Sequence, residues 1–197
     1  MKTLAFALLL VPTVALSEAA AQDAAQVRRL FEAGQYQQAI ETAGDAPEAL
    51  YTAAQSHQKL GASDEARATY ARLAERGEDD PWHFIGLSGQ QLLDGDTDAA
   101  LASAQRAVEL GNLSEAHFQV GLVLAKRQDW RAAADAFDRA GDLNPANAYA
   151  HYYGGLMQYR GGRPDRMANE FEQFLKLAPE APERPEVLQI MKTVRGR

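Results

Sequence analysis

Three of the four histidines, His83, His117 and His151, stand 34 residues apart, and such a ladder of imidazoles is the first arrangement that could hold a metal. Equivalent helices of neighbouring repeats pack about 8–10 Å apart, a gap that two imidazoles can just bridge. A metal centre needs a third ligand, and no carboxylate converges on the ladder, so the three are read as partly buried packing residues. Gly86-Leu87-Ser88-Gly89 resembles the start of a hydrolase nucleophile elbow. That motif needs its second glycine one residue later and a strand-to-helix turn, whereas this stretch lies within a helical pattern. The chain has no cysteine, which removes disulfides, thiolate-ligated zinc and thiol catalysis. No glycine-rich phosphate loop and no His-Glu-x-x-His occurs, and most carboxylates fall on faces that water would cover. The expectation is a protein without catalytic residues, metal or cofactor.

The elements that carry these residues are clearest from Ser114 to Asn147. His117, Val120, Gly121 and Leu124 lie at i, i+3, i+4 and i+7, one face of a helix over 114–127. Ala133, Phe137 and Ala140 make a second such face over 130–142, and Pro145 stops the unit. Two helices joined by so short a turn lie antiparallel and bury those faces together. Small Gly121 and Ala133 admit close backbones, and Phe137 fills the remaining space. Displaced by 34 residues the pattern recurs: Gly121 maps to Gly155, Phe137 to Phe171, Pro145 to Pro179 and His117 to His151. With this period and this order of small, aromatic and proline positions, the chain resembles the tetratricopeptide repeat (TPR) family.

The resemblance covers residues 22–181 and implies an all-α fold, an α-solenoid of antiparallel helix pairs. A truncated first unit is expected over 22–46, because Tyr36 and Ala39-Ile40 match the start of a second helix while Ala39 to Ala66 is only 27 residues. Four units follow, over 47–80, 81–113, 114–147 and 148–181, and a C-terminal capping helix over 182–197 closes the array. The unit 81–113 is irregular. His83 to Ala100 is 17 residues against 16 for His117 to Ala133, which predicts one extra residue in the turn at 93–96. Ala104 stands where neighbouring units carry Tyr70, Phe137 and Phe171, so its packing is thin or filled from an adjacent repeat. In the last unit Gly154-Gly155 sits mid-helix, where each glycine costs about 1 kcal/mol relative to alanine; close approach of a neighbouring helix or a ligand would explain the pair.

The N-terminus reads as a secretory signal peptide over 1–21: Lys2, then an apolar run over 4–16 broken by Pro12, then small residues. The run is too short to span a bilayer, which takes about 20 apolar residues. Cleavage after Ala21 is expected, with Ser17 the alternative, and export to the periplasm of a Gram-negative cell. The net charge is −7. The residues after 159 carry a small positive excess and the body before them is acidic, which argues against nucleic acid or an anionic membrane as ligand.

In TPR proteins the second, fifth, ninth and twelfth positions of each first helix line a concave groove, and the resemblance implies the same here. Candidate partner-binding residues are Tyr51, Gln55, Trp82, Phe118, Leu122, Tyr149, Tyr152, Leu156 and Tyr159. Glu48 and Glu115 occupy second positions. Four of the chain's seven tyrosines lie in 149–159, and exposed Tyr and Trp give large contact area at little entropic cost; the C-terminal helix could instead cover part of this row. The lysine–asparagine carboxylate clamp of some TPR grooves is absent, since Tyr51, Gln55, Phe118 and Leu122 hold those positions. The expected function is a non-enzymatic periplasmic scaffold binding a protein or peptide segment. The alternative is a small-molecule binder working with a transporter, favoured by a closed pocket near the last repeat.

Overall fold

The computed structural model describes residues 13–195. Among them are eleven helices and no strand. Two helices form the first pair, α1 (Thr13–Glu32) and α2 (Tyr36–Thr42). Four further pairs are α3 (Pro47–Lys59) with α4 (Ser63–Ala74), α5 (Pro81–Asp94) with α6 (Thr97–Leu110), α7 (Ser114–Lys126) with α8 (Trp130–Leu143), and α9 (Ala148–Arg160) with α10 (Pro164–Leu177). α11 (Arg184–Arg195) packs on α10 at the end. Each helix packs on the next in chain order, as a solenoid requires. The expected signal segment falls partly outside the described residues, and within them α1 runs unbroken through the expected cleavage point.

Local chemistry sets these boundaries. Pro47, Pro81 and Pro164 open helices at the first turn, where no backbone donor is lost. Asp80, Asp96, Asp129 and Asn147 cap helices by accepting from backbone N–H groups two or three residues on. The fifteenth residue of every full unit turns left-handed: Gly61, Gly95 and Gly162 at φ 75°, 83° and 75°, and Gln128 at 64°. Only the last carries a side chain at a conformation glycine favours.

Inside the last two pairs, glycine and ring meet at a spacing of sixteen residues. A methyl group on Gly121 would lie 2.7 Å from the Phe137 ring, and one on Gly155 would lie 2.5 Å from Phe171. The unit 81–113 solves the problem differently. Gly86 and Gly89 of α5 lie against Tyr70 and the backbone of α4, so the ring comes from the preceding repeat. Ala104 is buried, and Ser88 Oγ donates to the Ala100 carbonyl at 2.8 Å, binding α5 to α6.

The irregularity of that unit is not an extra residue in its turn. First and second helices begin sixteen residues apart in all four full units, at 47 and 63, 81 and 97, 114 and 130, 148 and 164. The missing residue is in the connection 111–113 between α6 and α7. His83 is the third residue of its helix whereas His117 and His151 are the fourth, so the histidine spacing hides the deletion.

The outer helices α8 and α10 are apolar on one side only, but α9 is apolar all round and is buried on opposite faces. α7 shows the same pattern: Ala116, Phe118, Gln119, Gly121 and Val123 are all buried. The solenoid curls far enough for its first pair to reach its last. The Phe31 ring lies 4.8 Å from Tyr149 between centroids, Gly34 packs on Pro182, and Lys59 Nζ lies 2.6 Å from Glu183 Oε1.

Candidate functional site

The concave side of this curl encloses two adjoining cavities. The larger, of about 440 Å³, lies between α1 and the N-terminal ends of α3, α7 and α9. Its apolar walls are Phe31, Tyr51, Phe118 and Tyr149, with small Ala21, Ala24 and Ala25 on the α1 side. Arg28, Glu32, Glu48 and Glu115 line it with Gln55, Asn144 and Asn147. The smaller, of about 250 Å³, shares Phe31, Gln55, Phe118 and Tyr149 and adds Gln58, Lys59, Leu122 and Tyr153.

Five of the nine residues expected to bind a partner therefore meet here: Tyr51, Gln55, Phe118, Leu122 and Tyr149. Trp82, Tyr152, Leu156 and Tyr159 line neither cavity. Tyr51, Trp82, Phe118, Tyr149 and Tyr152 are buried rather than displayed on an open trough, Gln55, Leu122 and Leu156 are partly buried, and Tyr159 is 39 % exposed. At 3.6 residues per turn these side chains point away from their own pair, but in a curled array the other side is also protein. Trp82 packs against Tyr51 at 6.1 Å between ring centroids. Tyr152 packs on Phe174 at 5.2 Å. The C-terminal segment covers part of the tyrosine row, since Tyr149 Oη donates to Glu183 at 2.7 Å and Tyr152 Oη to Glu186 at 3.2 Å.

The electrostatics of the larger cavity are set by desolvated carboxyls. Burial pushes Glu32 up to about 7, against the opposing pull of Arg28 and of a hydrogen bond from the Ala148 N–H at the start of α9. Burial also raises Glu115, which Glu48 reinforces and the Glu115 N–H opposes. In the smaller cavity Lys59 is held above its usual range: burial works against the charge, but Tyr153 and Glu183 outweigh it. Its Nζ sits 5.1 Å over the Tyr149 ring.

The histidines are engaged separately. His83 Nδ1 contacts the Ala74 and Arg76 carbonyls at 2.7 and 2.9 Å, His117 Nε2 the Asn112 side-chain oxygen at 2.8 Å, and His151 Nδ1 Glu170 at 2.9 Å. No group of three or more metal-ligating side chains occurs among the described residues. Around Gly154, Asp138 Oδ2 accepts from Gln158 while Asp138 Oδ1 is buried without a partner. Burial, with Glu170 and Asp135 nearby, raises Asp138 to about 6.

Arg28, Phe31, Glu32, Lys59 and Tyr153 were not legible as site residues. Phe31 and Glu32 lie in the truncated first pair, and only closure of the curl brings them to α9. The Phe31–Gly34 stretch ahead of a short second helix was the available signal that this pair packs on something beyond its neighbour.

No described helix is long and apolar enough to cross a membrane. Residues 48–76 match the tetratricopeptide repeat family. No curated protein matches the chain in sequence. Among solved structures, TTC0263, a thermophilic TPR protein of Thermus thermophilus, aligns at 20% identity with a TM-score of 0.61, covering 88% of this chain and 97% of its own. YrrB, described as a TPR protein with an unusual peptide-binding site, aligns at 23% identity and TM-score 0.52, covering 86% and 88%. MamA aligns at 18% identity and TM-score 0.51, covering 72% and 84%. At these identities the likeness is one of fold. Residues 48–76 thus match one tetratricopeptide repeat, and the chain as a whole shares the helix-pair solenoid fold of these solved structures.

Proposed function

We propose that the chain is a non-enzymatic exported scaffold that binds a polypeptide segment in the concave cavity between α1 and the inner helices α3, α7 and α9. The observation that carries the proposal is the larger cavity itself. It is lined by first-helix residues of three repeats, and its volume of about 440 Å³ lies in the range of built ligand sites. The likeness to YrrB adds support, since that protein has a peptide-binding site. Export is inferred from the basic, apolar and small-residue order of residues 1–21, and the periplasm is the compartment it suggests.

The smallest test selects binders from displayed random peptides and repeats the binding with Gln55→Trp. Gln55 lines both cavities and is partly exposed, so a larger ring there fills the space without emptying the core. Binding lost with the melting temperature kept supports the site; selected peptides indifferent to the change refute it. A second reading, a small-molecule binder serving a transporter, draws on the cover that α1 gives the cavity. Selection of no peptide, together with a small molecule retained through purification, would favour it.

A further inference from the structure

We propose that the larger cavity seats the side chain of a lysine or arginine carried by an extended polypeptide. This rests on the binding site assigned above and names what it recognises. The walls are aromatic, Phe31, Tyr51, Phe118 and Tyr149, and suit an aliphatic stem or a guanidinium plane. Three carboxylates, Glu32, Glu48 and Glu115, line the same space against one guanidinium, Arg28. None of the ion pairs among the described residues engages any of the three.

Helix N-termini favour anions, and three of them point here, but the carboxylates already answer that field. Glu48 and Glu115 are second residues of α3 and α7, and Glu32 accepts from the first N–H of α9. The three carboxylates line this space with a single guanidinium, a deficit of positive charge that an incoming cation would supply. The molecule displays the same recognition next door. Lys59 lies over Tyr149, which walls both cavities, with Glu183 2.6 Å from its ammonium. The larger cavity offers the same ingredients, aromatic walls and carboxylates, with Arg28 the one cation that its own chain places among three carboxylates.

The test uses the protein at pH 8, above the value of about 7 to which burial raises Glu32, and calorimetric titration with four blocked pentapeptides that differ only at the centre: Ac-GAKAG-NH2, its arginine counterpart, its norleucine counterpart and its glutamate counterpart. The lysine and arginine peptides are expected to bind at least about tenfold tighter than norleucine, with glutamate weakest. Glu115→Gln and Glu32→Gln should each weaken the lysine peptide by about five- to tenfold and leave norleucine unchanged. Equal binding of lysine and norleucine overturns cation recognition and leaves the cavity reading standing. Tighter binding of glutamate, or no binding of any peptide, also overturns the inference. Binding of n-pentylamine as tight as that of the lysine peptide would overturn a polypeptide as occupant.

Discussion

Adjacent glycines in α9 should respond to alanine with opposite signs. A methyl on Gly154 meets only ordinary contacts, 3.4 Å to Asp138 Oδ1, 3.5 Å to Glu170 Oε2 and 3.6 Å to Phe137 Cβ. Gly154→Ala then gains most of the helix-propensity difference of about 1 kcal/mol, less a little for further desolvation of Asp138. A methyl on Gly155 meets Phe171 Cδ1 and Cε1 at 2.5 and 2.6 Å, where carbon pairs want about 3.5–4.0 Å. Phe171 is fully buried and has nowhere to retreat. Overpacking costs about 1–3 kcal/mol, and two ring atoms in collision argue for the upper half, so Gly155→Ala should lose about 1–2 kcal/mol net of propensity. Urea denaturation of both variants should show a gap of about 2–3 kcal/mol between them. Shifts of the same sign, or a stabilised Gly155→Ala, would refute the ring-on-glycine account of the repeat.

Gln128→Gly should stabilise by about 0.5–1 kcal/mol, because a left-handed residue costs an L side chain about 1–2 kcal/mol and glycine returns part of that as unfolded-state entropy; an unchanged or lower urea midpoint would refute it. Lys59→Met removes the partner of a mostly buried Glu183 and should cost roughly 1–3 kcal/mol, below the figure for a fully buried pair. Faster hydrogen exchange at Val187 and Met191 of α11 should accompany it, and unchanged exchange there would deny the link between the two ends. Glu32, at about 7, and Asp138, at about 6, both hold protons more tightly folded than unfolded. Stability should therefore fall by about 1–2 kcal/mol between pH 5 and 8, after allowance for their partial exposure. His151, raised by Glu170, acts in the same direction. Glu32→Gln with Asp138→Asn should flatten the profile, and stability rising with pH across that window would contradict the assignment.

The helix pairs were legible because their causes are local. Glycine and ring sixteen residues apart in α7–α10, and the proline that ends the unit 114–147, act within one unit. Local signals also misled once. His83 keeps the 34-residue spacing to His117 although it sits one place earlier in its helix, which disguised a shortened connection at 111–113 as a lengthened turn at 93–96. The site was half legible. Of the nine residues that the resemblance placed on the groove, the structure brings Tyr51, Gln55, Phe118, Leu122 and Tyr149 around the two cavities. Their enclosure depends on how tightly the array curls, a sum of small rotations at every repeat that no single residue records. Phe31 meets Tyr149, and Lys59 meets Glu183, across more than one hundred positions of sequence by that curl, so the cavity and its charges emerge only from the whole.

The most direct measurement is a two-dimensional NMR titration of the protein with the tightest peptide from the displayed selection. The largest shifts should cluster at Phe31, Tyr51, Gln55, Phe118 and Tyr149, while α4, α6, α8 and α10 on the outside stay still. Shifts concentrated on Trp82 and Tyr159 or on those outer helices, with the cavity residues unmoved, would contradict the cavity as binding site.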